Sequence, residues 1–69
     1  MTSLQGRLHA AHARDDRAAL VGLYTEAADM AANVDAACFY LTHAYIFALE
    51  KGDPASDALY QRLKAEGRV

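Results

Sequence analysis

Ala36-Ala37-Cys38-Phe39-Tyr40-Leu41-Thr42-His43-Ala44-Tyr45-Ile46-Phe47-Ala48-Leu49 is the stretch on which the fold turns. Of these fourteen residues only Thr42 and His43 are plainly polar. A surface helix carries one apolar stripe, whereas a helix apolar nearly all round has to be covered on several sides. The stretch contains no Gly or Pro, Asp35 precedes it, and Lys51-Gly52 follows as a stop. It is too short to span a bilayer, which needs about 20 apolar residues. The expectation is a central helix with other helices packed around it.

Working outward, Gly52-Asp53-Pro54 is the sharpest local signal. Gly suits a helix stop, Asp the next N-cap, and Pro the first helical position, where its missing N–H leaves no bond unmade. A last helix over about 54–66 is expected to turn Ala58, Leu59, Tyr60 and Leu63 inward, with Gly67 closing it. Upstream, Asn33-Val34-Asp35 reads as a short connection. Asn33 can take the left-handed C-terminal conformation and Asp35 can cap the central helix, which runs over about 35–51.

The second helix, about 16–32, has the cleanest period. Leu20, Leu23, Tyr24, Ala27, Ala28 and Ala31 form one stripe, while Arg17, Glu26 and Asp29 lie elsewhere. Asp15-Asp16 supplies short acceptors for its start. A first helix over about 3–14, capped by Thr2 or Ser3, places Leu4, Leu8 and Ala11 on one face. Sixteen alanines and a single Pro favour helix throughout, and no alternating run suggests a strand. The expected fold is all-α: four short antiparallel helices in two stacked hairpins, in one domain over 1–69.

Composition narrows the function classes. A 69-residue chain buries only about 60% of its unfolded surface, so its core needs help from a metal, an oligomer or close helix packing. Cys38 is the only cysteine, which excludes an internal disulfide and favours a reducing compartment, hence the cytoplasm. A net charge of −2 with scattered Lys and Arg argues against nucleic-acid binding. The N-terminus lacks the apolar core of a signal peptide, and no lipidation motif or membrane segment is present. The chain starts with Met and ends without vector sequence, as expected of a complete small protein.

Asn33 to Tyr45, then Gly52-Asp53 and Ala58-Leu59-Tyr60, resembles a tetratricopeptide-type helical hairpin and is similar to its longer Sel-type variant. Leu20, Tyr24, Ala27 and Ala28 look like the second helix of a preceding repeat, whose first helix holds Leu4, Leu8 and Ala11. Thr42 stands where the family has a small Gly, and Cys38 where it has Trp. No Pro follows Ala31-Ala32. The resemblance implies binding of a protein or peptide on a helical face and no intrinsic catalysis.

The residues themselves offer few alternatives. His9 and His12, three apart on one helix, are placed to share a metal if Cys38 or His43 joins them, but there is no HExxH or paired-Cys spacing. Two solvent-facing histidines beside Arg7 and Arg14 is the simpler reading. Asp15, Asp16 and Asp53 stand where caps are wanted, and neither a nucleophile elbow nor a phosphate loop occurs. Tyr24, Tyr40, Tyr45 and Tyr60 fall at helical spacing and are read as core and groove residues, though Tyr40 or Tyr45 could be presented to a peptide. The chain is therefore expected not to be an enzyme and to need no cofactor.

On the central helix, Ala37, Leu41, Ala44, Tyr45, Ala48 and Leu49 make one broad inward face. Phe39, Thr42, His43, Ile46 and Glu50 fall on the remaining side. Three short helices can cover the first face but not all of the second. An exposed strip holding Phe and Ile marks an interaction site, and self-association supplies missing burial at this size. The expected function is a non-catalytic interaction module that forms a homodimer, or docks a partner peptide or helix, along those five residues. A small metal- or ligand-binding protein using His9, His12 and His43 is the alternative.

Overall fold

The computed structural model describes residues 3–69. Four α-helices follow one another: α1 (Leu4–Ala13), α2 (Arg17–Asp29), α3 (Val34–Lys51) and α4 (Ala55–Ala65). They are antiparallel and form two stacked hairpins, with no strand among the described residues. Neighbours in sequence are neighbours in space: α3 packs on α2 and on α4, and α1 packs on α2. The Cα trace fills 33 × 29 × 13 Å, a thin slab in which α3 is the long central member.

Each boundary has an identifiable chemical cause. Ser3 caps α1, its hydroxyl accepting from the Gly6 N–H at 3.1 Å; Thr2, the other candidate cap, lies outside the described residues. Asp15 ends α1 in the left-handed conformation at φ 53°. Around it the Asp16 N–H reaches the Ala11 carbonyl and the Asp15 N–H the His12 carbonyl, a paired closure of the helix end. Asp16 alone starts α2, accepting from the Ala19 N–H at 3.1 Å. The two aspartates thus divide the work of one stop and one start.

The next junction corrects the sequence reading. Asn33 is extended (φ −151°, ψ 169°) and is itself the cap of α3, its Oδ1 accepting from the Ala36 N–H at 2.8 Å. Asp35 sits inside the first turn, where its charge faces the positive helix end, and it pairs with Arg68. The α2 helix stops at Asp29 rather than 32, so Ala31 and Ala32 belong to the connection. Gly52 behaves as expected, left-handed at φ 72°, with the Asp53 N–H on the Ala48 carbonyl. Asp53 accepts from the Ala55 N–H at 2.9 Å, and Pro54 leads into α4.

Two apolar clusters hold the slab. Leu8 and Ala11 of α1 bury against Leu20 of α2. Val21 and Ala28 of α2 join Cys38, Leu41, Ala44 and Ala48 of α3 and Leu59 and Leu63 of α4 in the larger core. Tyr24 and Phe47 pack against both clusters and link them. The small residues Ala44 and Ala48 are fully covered, which lets the backbones of neighbouring helices approach closely. No buried polar side chain lacks a hydrogen-bond partner among the described residues.

Several side chains face elsewhere than the sequence suggests. Val21, outside the expected stripe, is buried, whereas Leu23 is only half-buried. Ala58 and Tyr60 of α4 are exposed, the Tyr60 ring lying against Tyr45 at 6.0 Å between centroids. On α3, Leu49 is exposed and Cys38 takes its place in the core. Leu49 and Cys38 lie about 20° apart on one edge of α3, but Cys38 belongs to the shared core whereas Leu49 lies in the last turn of the helix.

Candidate functional site

The outward strip of α3 is built by the helical repeat. At 100° per residue, Phe39, Ile46 and Glu50 fall within about 40° of one another, with Thr42 and His43 flanking them. The core residues Ala37, Leu41, Ala44 and Ala48 occupy the opposite side. Because α2 and α4 both pack on that buried arc, nothing covers the outer third of the helix among the described residues. Phe39 is 59% exposed, Ile46 49% and Leu49 54%. Thr42 and Glu50 are also exposed, and His43 is half-buried. The structure therefore places all five expected interaction residues on one strip and adds Leu49 to it.

The strip has an ordered aromatic flank. His43 donates from Nδ1 to the Phe39 carbonyl, 2.8 Å away, which fixes the tautomer and leaves Nε2 free of that bond. Its ring lies 4.6 Å from Phe39 and stacks on Tyr24 at 5.1 Å. Tyr24 also stacks on Phe47 at 5.9 Å, and Tyr40 meets Phe39 edge-on at 5.5 Å. Phe39, though exposed, is thus held by two neighbouring rings and presents a defined apolar surface. Thr42 turns its hydroxyl back onto the Cys38 carbonyl at 2.8 Å, so the hydroxyl is satisfied within the helix.

Charges close the strip at both ends. At the N-terminal end Arg68 pairs with Asp35. Hydrogen bonding to Asp35, aided by the nearby Cys38 sulfur and the Asp35 charge, raises the Arg68 guanidinium above its ordinary range. An open hollow of about 540 Å³ lies here, lined by Asp35, Cys38, Phe39, Thr42, His43 and Arg68. At the C-terminal end Arg17 of α2 lies 3.6 Å from Glu50 and 3.6 Å from Asp15.

Two of the three histidines have partners within the fold, His43 at the Phe39 carbonyl and His12 at a side chain of α2. His12 Nε2 meets the Tyr24 hydroxyl at 2.9 Å, and its ring also touches Phe47. Among the described residues no group of three or more His, Cys, Asp or Glu side chains is placed to hold a metal ion. Cys38 is buried and free. No described helix is long and apolar enough to cross a membrane.

The sequence reading missed the role of Tyr24 as the hub of the aromatic flank. Its signal was present in Tyr40, His43 and Phe47, which recur at i, i+3 and i+7 along one edge of α3. No family model, curated protein or solved structure matches the chain. What fold and strip define is a class: a small all-α protein of two helical hairpins with an uncovered face on its central helix.

Proposed function

We propose that the chain is a non-catalytic protein-interaction module that associates with a second copy of itself through the outward strip of α3. Phe39, Thr42, His43, Ile46 and Glu50 carry the contact, with Leu49 at its edge. The supporting observation is the exposure of Phe39, Ile46 and Leu49 along one helix of a chain this small. Large apolar side chains grouped on one face mark an association surface, whereas scattered ones do not. A tetratricopeptide-like role fits the stacked hairpins. The free Cys38 thiol suits a reducing compartment, and the reading places the protein in the cytoplasm.

Size sets the strength of the contact. From residue 35 to residue 50 the strip is roughly 22 Å long at 1.5 Å per residue, so one helix on another buries less than the ~800 Å² per partner of a standard interface. Association is accordingly expected at the weak, concentration-dependent end. Light scattering from low to high micromolar concentration tests it, with circular dichroism as a check on folding. The parent should pass from monomer to dimer, while Phe39→Asp and Ile46→Asp remain monomeric with their helix content intact. A parent that stays monomeric at the highest concentration overturns the reading.

A further inference from the structure

The last three residues turn back on the fold instead of trailing away from it. Gly67 is left-handed at φ 72°, and the Arg68 N–H returns to the Leu63 carbonyl at 3.0 Å, so the backbone reverses as α4 ends. From there the Arg68 side chain reaches α3 and pairs with Asp35. Asp35 and Cys38 are three residues apart on α3 and are therefore neighbours on its surface. Arg68 and Cys38 accordingly line the same open hollow. We infer that residues 67–69 are a strap, fastened by the Arg68–Asp35 ion pair, that governs access to the Cys38 thiol.

The thiol has two covers of unequal strength. On its inner side Cys38 is buried in the core that Leu59 and Leu63 of α4 share, so opening that side dismantles the larger cluster. On its outer side the cover is the strap. Its fastening is weak, because the Asp35 side chain is 86% exposed and that of Arg68 43%. An exposed ion pair of this kind contributes little and is screened by salt. The strap can thus lift while the four helices stay in place, a local opening of low free energy. A group joined to the thiol during such an opening would stand against the α3–α4 packing. The strap therefore guards the larger cluster from modification at its one cysteine.

The rate at which Cys38 reacts with dithiodipyridine, a neutral aromatic disulfide, tests the strap. The thiolate attacks one sulfur, a mixed disulfide forms, and the thiopyridone that leaves reports the rate by its absorbance. At fixed pH and low salt the parent should react far more slowly than the urea-unfolded chain. Arg68→Ala should react about three- to fivefold faster than the parent, the factor an exposed pair can supply. Taking a guanidinium away from a thiol does not itself favour the thiolate, so acceleration reports uncovering. Arg68→Lys keeps the charge and should stay near the parental rate. Glu26→Gln removes another exposed ion pair, between α1 and α2, and should leave the rate unchanged. Added salt should speed the parent, an arm that stands even if circular dichroism shows a variant to have lost helix. An Arg68→Ala rate no higher than the parent's, or equal acceleration by Glu26→Gln, would overturn the inference, as would a parent that reacts like the unfolded chain.

Discussion

His12 Nε2 lies 2.9 Å from the Tyr24 hydroxyl, and the same tyrosine ring stacks on Phe47 with centroids 5.9 Å apart. One side chain of α2 therefore ties the N-terminal helix to the central one, by its polar tip on one side and its ring face on the other. Removing only the tip, in Tyr24→Phe, should lower stability by about 1 kcal/mol, the net worth of one hydrogen bond. Tyr24→Ala removes the ring as well and should cost about 3–5 kcal/mol, as for other large aromatic truncations. Urea denaturation of the two variants separates the contributions. A Tyr24→Ala loss below about 1 kcal/mol would remove Tyr24 from the role of hub.

The start of α3 offers a clean contrast between two neighbouring acceptors. Asn33→Ala should cost about 0.5–2 kcal/mol, because its side chain alone holds the Ala36 N–H. Asp35→Ala removes an exposed ion pair and a favourable dipole contact, and should cost less than Asn33→Ala. The reverse order in thermal melts would return the cap to Asp35.

Asp15 holds a left-handed conformation that glycine adopts without strain. Asp15→Gly should leave stability unchanged or raise it by up to about 1 kcal/mol, whereas Gly52→Ala, at φ 72°, should lower it by about 1 kcal/mol. Paired melts of these variants check the sign. A destabilised Asp15→Gly would show that its carboxylate, 3.6 Å from Arg17, matters more than its backbone.

Arg7 donates two hydrogen bonds to Glu26, at 3.1 and 2.9 Å, joining α1 to α2 across the surface. Hydrogen bonding to Arg7, with its charge adding, holds the Glu26 carboxyl below its ordinary value of 4.5, against a smaller opposing effect of burial. A depressed carboxyl stabilises the fold above its unfolded value and loses that contribution as pH falls through the folded value. Stability should therefore decline on acidification below about pH 4.5, and Glu26→Gln should flatten the decline. Added salt should shrink the difference between parent and variant, since the pair is exposed. An identical acid profile for the two proteins would show that Glu26 contributes nothing to it.

On α3 the two leucines should part company. Leu41, 2% exposed, should cost about 2–5 kcal/mol when replaced by Ala. Leu49→Ala should be nearly neutral at a concentration where the protein is monomeric. Comparable losses at both positions would mean that Leu49 is covered in solution.

The sequence made the helices legible because Gly52, Pro54 and the Ala-rich composition act locally. It also showed the outward strip, because Phe39, Ile46 and Glu50 share a face by helical geometry alone. It failed where two local answers were both chemically sound. Asn33 and Asp35 are each good caps, and only the extended backbone at 33 decides between them. Leu49 and Cys38 share one edge of the apolar arc, about 20° apart by helical geometry, and only the tertiary contacts that cover Cys38 and leave Leu49 open decide between them. The His12–Tyr24–His43 arrangement joins three helices, so no spacing within one of them could reveal it.

The slab also has a weak margin. The first helix rests mainly on α2, with a core of Leu8 and Ala11 against Leu20 and an edge contact to Phe47 of α3, while α2, α3 and α4 share the larger cluster. Such a helix can detach without dismantling the rest, so its backbone amides should exchange with solvent through partial openings that leave the other three protected. When α1 swings away, Leu20, Tyr24 and Phe47 are uncovered together. The fluctuation that costs this fold least is thus also one that would briefly widen its apolar surface from the outer strip of α3 towards α2.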